Sequence, residues 1–352
     1  MRNLISFTAI FLSSLLLISS CRRKEPVSPP SADTRGPTQP SASTTEPTQE
    51  KNDSAAIVRK AIADQLNKKP DELTTEDYVK TTKLSLTGTD VSDLTPLEGL
   101  INLKELHLAF TQVSDLTPIK ELTGLQELYI TNTKVSDFTP LKELKGLQTL
   151  GIGYTAVSDL TPIKKLTGLQ SLDIGGTQVS DLTPIKELKG LKTLYLYGTK
   201  VSDFTPLKEL KGLQLLRLGG TAVSDLTPLK ELINLQVLNL TDTKVSDLTP
   251  IKDISGLQQL FLSNTKVSDL TPIKELIGLQ RLDLDGTKVS ELTPIKELNK
   301  LRTLGLSRTS VSDLTPLKAL NGLQVLDLFG TKVSDEQVAE LEKALPELTI
   351  IR

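Results

Sequence analysis

Residues 103–124 read LKELHLAFTQVSDLTPIKELTG, and close copies of this 22-residue unit fill most of the 352-residue chain. Thr recurs every 22 residues from Thr89 to Thr331 without one slip, and Val follows two positions later from Val91 to Val333. Asp follows four positions after each Thr except at Glu291, and Pro seven positions after, from Pro96 to Pro316. Alternation in Leu106-His107-Leu108 predicts a short strand whose successive side chains take opposite faces. Leu at the first, fourth and sixth repeat positions then points into a core, while the third, fifth and seventh positions face outward. Thr117-Pro118 is the pattern of a helix start, with Thr as N-cap and Pro at the first helical position. The next four residues, Ile119 to Leu122, suffice for about one turn of 3₁₀ or α-helix.

The spacing L-x-x-L-x-L-x-x-T-x-V-x-x-L-x-P-I/L-x-x-L resembles a leucine-rich repeat. Its 22-residue length and the D-L-T-P-L segment are most similar to the internalin type, and the resemblance covers residues 81–352. It implies an α/β solenoid, a right-handed superhelix with a parallel β-sheet on the concave face and short 3₁₀ or α turns on the Lys/Glu-studded convex face. One departure is Thr where the family usually carries Asn. A hydroxyl still donates and accepts a hydrogen bond, so a ladder of buried or half-buried Thr satisfying turn backbone is expected. The Asp column from Asp93 to Asp335 is read the same way, as carboxylates accepting from local backbone donors rather than as a calcium ladder.

A solenoid needs covers at both ends. Residues 54–80, with Ile57, Ala61, Ile62 and Leu66 at helical spacing and a second short helix near Thr75, resemble the helical caps that precede bacterial arrays of this kind. Residues 81–344 then hold twelve repeats. In the last of them Asp335 to Leu345 reads as a full helix, with Ser334 and Gln337 suiting a capping box. Residues 345–352 begin a thirteenth, capping strand.

The amino terminus carries an address. An apolar stretch from Leu4 to Ile18 is too short for a bilayer-spanning helix but suits the hydrophobic region of a secretory signal. Ile18-Ser19-Ser20-Cys21 follows, and it resembles the lipobox of bacterial lipoproteins. That resemblance implies a signal peptide at 1–20, acylation of Cys21, the only Cys of the chain, and membrane attachment through the lipid. Several acyl chains on one Cys give a stable anchor. Arg22 rather than Asp after the Cys favours the outer membrane where two membranes exist. Residues 21–53 are rich in Pro, Ser and Thr and read as a disordered tether. The expected location is therefore the bacterial cell envelope.

Composition closes several routes. One Cys and one His allow no internal disulfide, no Cys-rich zinc site and no multi-His metal centre, and no cofactor or metal site is assigned. Net charge −2 offers no electrostatic reason to expect nucleic acid. The outward positions of the repeats carry four basic and seven acidic residues, which argues the same way.

Repeats that are nearly copies expose the positions that are not. From Ser85 to Asp327 the fifth position reads S, H, Y, G, D, Y, R, N, F, D, G, D, and the seventh is also mixed. Nine aromatics fall between residues 81 and 344, and seven of them occupy the fifth, seventh or eighth repeat position, where even scatter would leave about one. Phe138 and Phe204 stand in for core Leu. Tyr129, Tyr195, Tyr197, Phe261 and Phe329 should face the open sheet, with Phe110 and Tyr154 at strand exits. Aromatic side chains supply large contact area at small entropic cost and are enriched in binding hot spots. The expected ligand-binding surface is Tyr129, Tyr154, Tyr195, Tyr197, Phe261 and His107, with Arg217 beside Tyr195 for a cation–π contact. Asp283 and Asp285 project from one strand about 7 Å apart, with Asp327 two strands away. Such a pair could serve a glycosidase or hold a cation, but Arg281 on the same strand would neutralise one member.

The reading that follows is a monomeric, lipid-anchored envelope protein without catalysis, which binds a protein or glycan through its concave face. The alternatives are an envelope spacer with no tight ligand and a glycan-acting enzyme built on Asp283 and Asp285.

Overall fold

Three-residue strands recur every 22 residues, from β1 (Lys83–Ser85) and β2 (Glu105–His107) to β12 (Val325–Asp327), in a computed structural model that describes residues 53–352. The signal, Cys21 and the tether up to residue 52 lie outside the described residues. With β13 (Thr349–Ile351) the strands form one sheet in strictly sequential order, every pair parallel. Register follows the repeat: Leu106 pairs with Leu128 and His107 with Tyr129, one period apart. Like therefore stacks on like along the whole array, and any residue that breaks the column acquires neighbours 22 positions away.

Each repeat buries the same apolar set. In the unit quoted above, Leu103, Leu106, Leu108, Val113, Leu116, Ile119 and Leu122 are all essentially inaccessible to solvent. Apolar burial of this kind is the main favourable contribution to folding. The turns opposite the sheet are all 3₁₀, three residues long as at Thr117–Ile119 or five as at Thr139–Glu143. The N-cap expected at Thr117 is not formed. Thr117 is the first residue of the turn, Leu116 precedes it, and no side chain of the N-cap bonds the turn. Asp115 does that work instead, its Oδ1 accepting the Thr117 N–H at 2.8 Å. The N–H groups that a Thr117 N-cap would accept, those of Ile119 and Lys120, already go to the Leu116 and Thr117 carbonyls of the 3₁₀ turn, which leaves the Thr117 N–H for Asp115.

The Thr column behaves as expected. All twelve Thr hydroxyls, from Thr89 to Thr331, donate to the carbonyl three residues earlier at 2.6–2.8 Å. Thr177 is fully buried and bonds the Ile174 carbonyl at 2.6 Å. Thr177→Val keeps the shape and deletes the donor, so a loss of about 1–2 kcal/mol is expected, measured by urea unfolding of variant and parent.

Both ends are covered. Helix α1 (Ser54–Leu66) buries Val58, Ile62 and Ala63, and its Ser54 hydroxyl accepts the Ser92 and Asp93 N–H groups at 3.2 Å. Helix α2 (Thr75–Lys80) is held to it by Lys68, whose ammonium bonds both Asp77 carboxylate oxygens at 2.7 and 2.8 Å. At the other end α3 (Asp335–Ala344) replaces the 3₁₀ turn and buries Val338 and Leu341. Its capping box is only half made. The Ser334 hydroxyl accepts the Gln337 N–H, but the Gln337 side chain does not reach back to Ser334; it crosses to the Leu314 N–H at 2.9 Å. That second bond joins the cap to the preceding repeat, which a reciprocal box would not do.

Candidate functional site

The outward residues of β3 (Glu127–Tyr129), β4 (Thr149–Gly151), β5 (Ser171–Asp173), β6 (Thr193–Tyr195) and β7 (Leu215–Arg217) build the most elaborate part of the open sheet face. Four glycines explain its form. Built onto Gly175, a Cβ would lie 2.2–2.5 Å from three ring atoms of Tyr197, and one on Gly176 2.5 Å from the Tyr154 ring. At Gly151 it would lie 2.9 Å from the ring of Tyr129, and at Gly153 3.3 Å from a carboxylate oxygen of Asp173. The side chains thus lie down on bare backbone one repeat away, before or after their own, instead of standing off the sheet. Tyr154 and Tyr197 meet at 5.8 Å between ring centroids, tilted by 50°. On the N-terminal side His107 meets Tyr129 edge-on at 4.7 Å. On the C-terminal side the Arg217 guanidinium lies 5.3 Å from the centre of the Tyr195 ring. Six of the seven residues read from sequence, all but Phe261, therefore sit on or beside this run of strands.

Asp173 sits within the tyrosines. Its Oδ1 accepts the Gly175 N–H at 2.9 Å, and the Tyr197 hydroxyl lies 3.4 Å from Oδ2. Burial pushes its pKa up to about 6, against the downward pull of those hydrogen bonds and of Arg217. Burial also raises the Tyr129 phenol to about 12, helped by the charge of Glu127, and raises Tyr197 further still. These phenols stay protonated at every physiological pH and act as neutral donors.

The eighth repeat position holds a feature that sequence reasoning missed. Its backbone is left-handed in all twelve repeats. Six are Gly and three more are Asn or Asp, the residue types that tolerate the region. The remaining three are Phe110, Tyr154 and Arg308, at φ of +59°, +55° and +55°. An L side chain there costs about 1–2 kcal/mol each. Phe110 and Tyr154 are also 54% and 56% exposed, so burial does not repay the strain. The signal was present in the sequence: nine Gly, Asn or Asp in a column of twelve.

Residues 101–143, 167–209 and 233–275 match the repeat family described as Leucine Rich repeats (2 copies). Among solved structures, the internalin InlF from Listeria monocytogenes superimposes with a TM-score of 0.78 and 30% identity, covering 84% of this chain and 88% of that one. This chain is a leucine-rich-repeat protein. A leucine-rich-repeat protein from Leptospira interrogans is similar at 26% identity, covering 80% of this chain and 75% of that one, with a TM-score of 0.73. The ectodomain of the Arabidopsis thaliana receptor kinase GASSHO1/SCHENGEN3, solved in complex with CASPARIAN STRIP INTEGRITY FACTOR 2, shares the fold at 19% identity, covering 79% of this chain and 39% of that one, with a TM-score of 0.60. A search of curated protein sequences found no match.

Farther along the leucine-rich repeats, the Asp283 region differs from its sequence reading. Arg281 does not neutralise its carboxylate neighbours; its guanidinium lies 5.0 Å from the centre of the Phe261 ring. Asp283 Oδ1 accepts the Ser263 hydroxyl at 2.6 Å and the Asp285 N–H at 3.2 Å, and Asp285 Oδ1 accepts the Ser307 N–H at 2.8 Å. At the same repeat position Asn239 accepts the Thr241 N–H at 2.9 Å. An amide does there what Asp283 does here, so the contact is strand-exit chemistry and requires no acid. Burial, then the charge of Asp283, raises Asp285 to about 6.

Proposed function

We propose that this protein is a lipid-anchored, extracytoplasmic receptor that captures a protein partner on the tyrosine face of β3–β7, without catalysis of its own. The observation that carries the reading is the tyrosine layer on its glycine floor. Tyr129, Tyr154 and Tyr197 lie against backbone that no other residue type would leave open. Rings pre-positioned in this way lose little freedom on binding, which is how aromatic anchors reach high affinity. Leucine-rich-repeat proteins commonly mediate protein binding, and the plant ectodomain solved with CASPARIAN STRIP INTEGRITY FACTOR 2 is one such case. Anchoring in the envelope, by acyl chains on Cys21, rests on the lipobox-like Ile18-Ser19-Ser20-Cys21 alone.

The test is a triple variant of the full chain, Tyr129→Ser, Tyr195→Ser and Tyr197→Ser, compared with the parent for partner retention from envelope and host protein extracts. Folding should be unchanged by circular dichroism, and retention should weaken by at least about tenfold. Equal retention by parent and variant removes the binding face. Removing one whole 22-residue unit while sparing β3–β7 should leave retention intact, whereas a spacer would be altered by it.

A further inference from the structure

We propose that Glu105, His107 and Glu127 form a binding site for a divalent transition metal of the zinc class. Glu105 and Glu127 face each other across β2 and β3, in direct register. No other neighbouring pair in the third-position column, which runs K, E, E, T, S, T, L, V, Q, R, T, V from Lys83 to Val325, places two like charges side by side. Carboxylates directly opposite each other on adjacent strands repel, and the only imidazole of the chain stands two residues along β2 on the same face. One donor atom from each of the three residues lies within 4.8 Å of the others, and all three side chains are half-buried. The His107 ring is held edge-on against Tyr129 rather than bonded to a carbonyl or carboxylate.

An ion bound at about 2.0–2.2 Å by one nitrogen and two carboxylate oxygens would require the donors to close by about an ångström, within reach of rotations in the two Glu side chains. It would replace carboxylate repulsion with two attractive contacts. The imidazole selects the metal class: calcium and magnesium take oxygen shells, whereas zinc, nickel and copper accept a ring nitrogen. Three protein donors leave a fourth position of a tetrahedral shell for water or an incoming group. Two competitors are already in place, the Lys83 ammonium paired with Glu105 from β1 and the Tyr129 hydroxyl, which donates to Glu127 Oε2 at 3.5 Å.

Zinc binding by the full chain, read by equilibrium dialysis, tests the site. His107→Ala should abolish one bound zinc per chain, and Glu127→Gln should weaken it by about tenfold or more, the smallest effect expected even for a residue that only orients a ligand. Lys83→Met should tighten it by freeing Glu105. One equivalent of Co²⁺ should shift or broaden the single set of imidazole proton resonances. Zinc uptake unchanged in both His107→Ala and Glu127→Gln, or imidazole resonances unmoved by Co²⁺, overturns the proposal.

Discussion

Acid should unfold this protein from its turns inward, with melting temperature falling progressively once pH drops below about 4. The cause is the Asp column. Ten carboxylates, Asp93, Asp115, Asp137, Asp159, Asp181, Asp203, Asp225, Asp247, Asp269 and Asp313, each accept the backbone N–H of the Thr two residues on, at 2.7–2.9 Å. The Thr hydroxyl and then its N–H hold each of them below the ordinary value of 3.8. A folded pKa lower than the unfolded one means that the stabilising contribution is complete above about pH 4 and is lost as pH falls through the folded value. Each contribution is small because the groups are exposed. Their effect is collective because a solenoid holds each repeat only through its neighbours. Thermal melts across pH 2–7 decide the matter, and Asp181→Asn, which keeps an acceptor oxygen but cannot titrate, should make the acid limb shallower. In a background carrying Asp173→Asn and Asp285→Asn, whose raised carboxylates titrate in the opposite sense, a melting temperature indifferent to pH below about 4 would show that these bonds contribute nothing.

The fold was legible because one period governs everything: Leu or Ile at positions one, four and six, broken only by Thr81 in the first unit, can only be satisfied by stacking. The same regularity made the candidate face legible, since the columns that hold Tyr129, Tyr195 and Tyr197 vary where the rest of the repeat is nearly copied. The direction of the rings was not legible from their own positions. Tyr197 lies over Gly175 and Tyr154 over Gly176, so each orientation is decided by a gap one period away. Reading the repeats across the columns would have found it, because Gly151 stands between Tyr129 and Asp173, and Gly153 and Gly175 together separate Thr131 from Tyr197. The grouping of Glu105, His107 and Glu127 escaped for the same reason. The turn does start at Thr117-Pro118 as read, and only the N-cap role of Thr117 failed, because the donors it would accept already go to the Leu116 and Thr117 carbonyls of the 3₁₀ turn.

Asp173→Asn should stabilise the protein at pH 7 by up to about 3 kcal/mol and lower partner retention by the face proposed above. The raised pKa of about 6, against an ordinary 3.8, means that keeping this carboxylate ionised inside the tyrosine layer costs about that much. Asn can fill the place without strain, since Asn239 occupies the equivalent position of β8 (Val237–Asn239) and accepts the Thr241 N–H at 2.9 Å, as Asp173 accepts that of Gly175. The sign of the pH dependence is opposite to that of the Asp column. A folded pKa above the unfolded one makes the protein with Asp173 most stable below about pH 4 and progressively less so up to about pH 6. The advantage of Asn should therefore be full above pH 6 and absent below pH 4, as read from urea unfolding at both ends of that range. A charge retained at such a cost next to Tyr195 and Tyr197, where an amide would fold better, is what a site selected for recognition rather than stability contains. If Asp173→Asn is no more stable than the parent at pH 7, the carboxylate is hydrated, and the tyrosines do not enclose it.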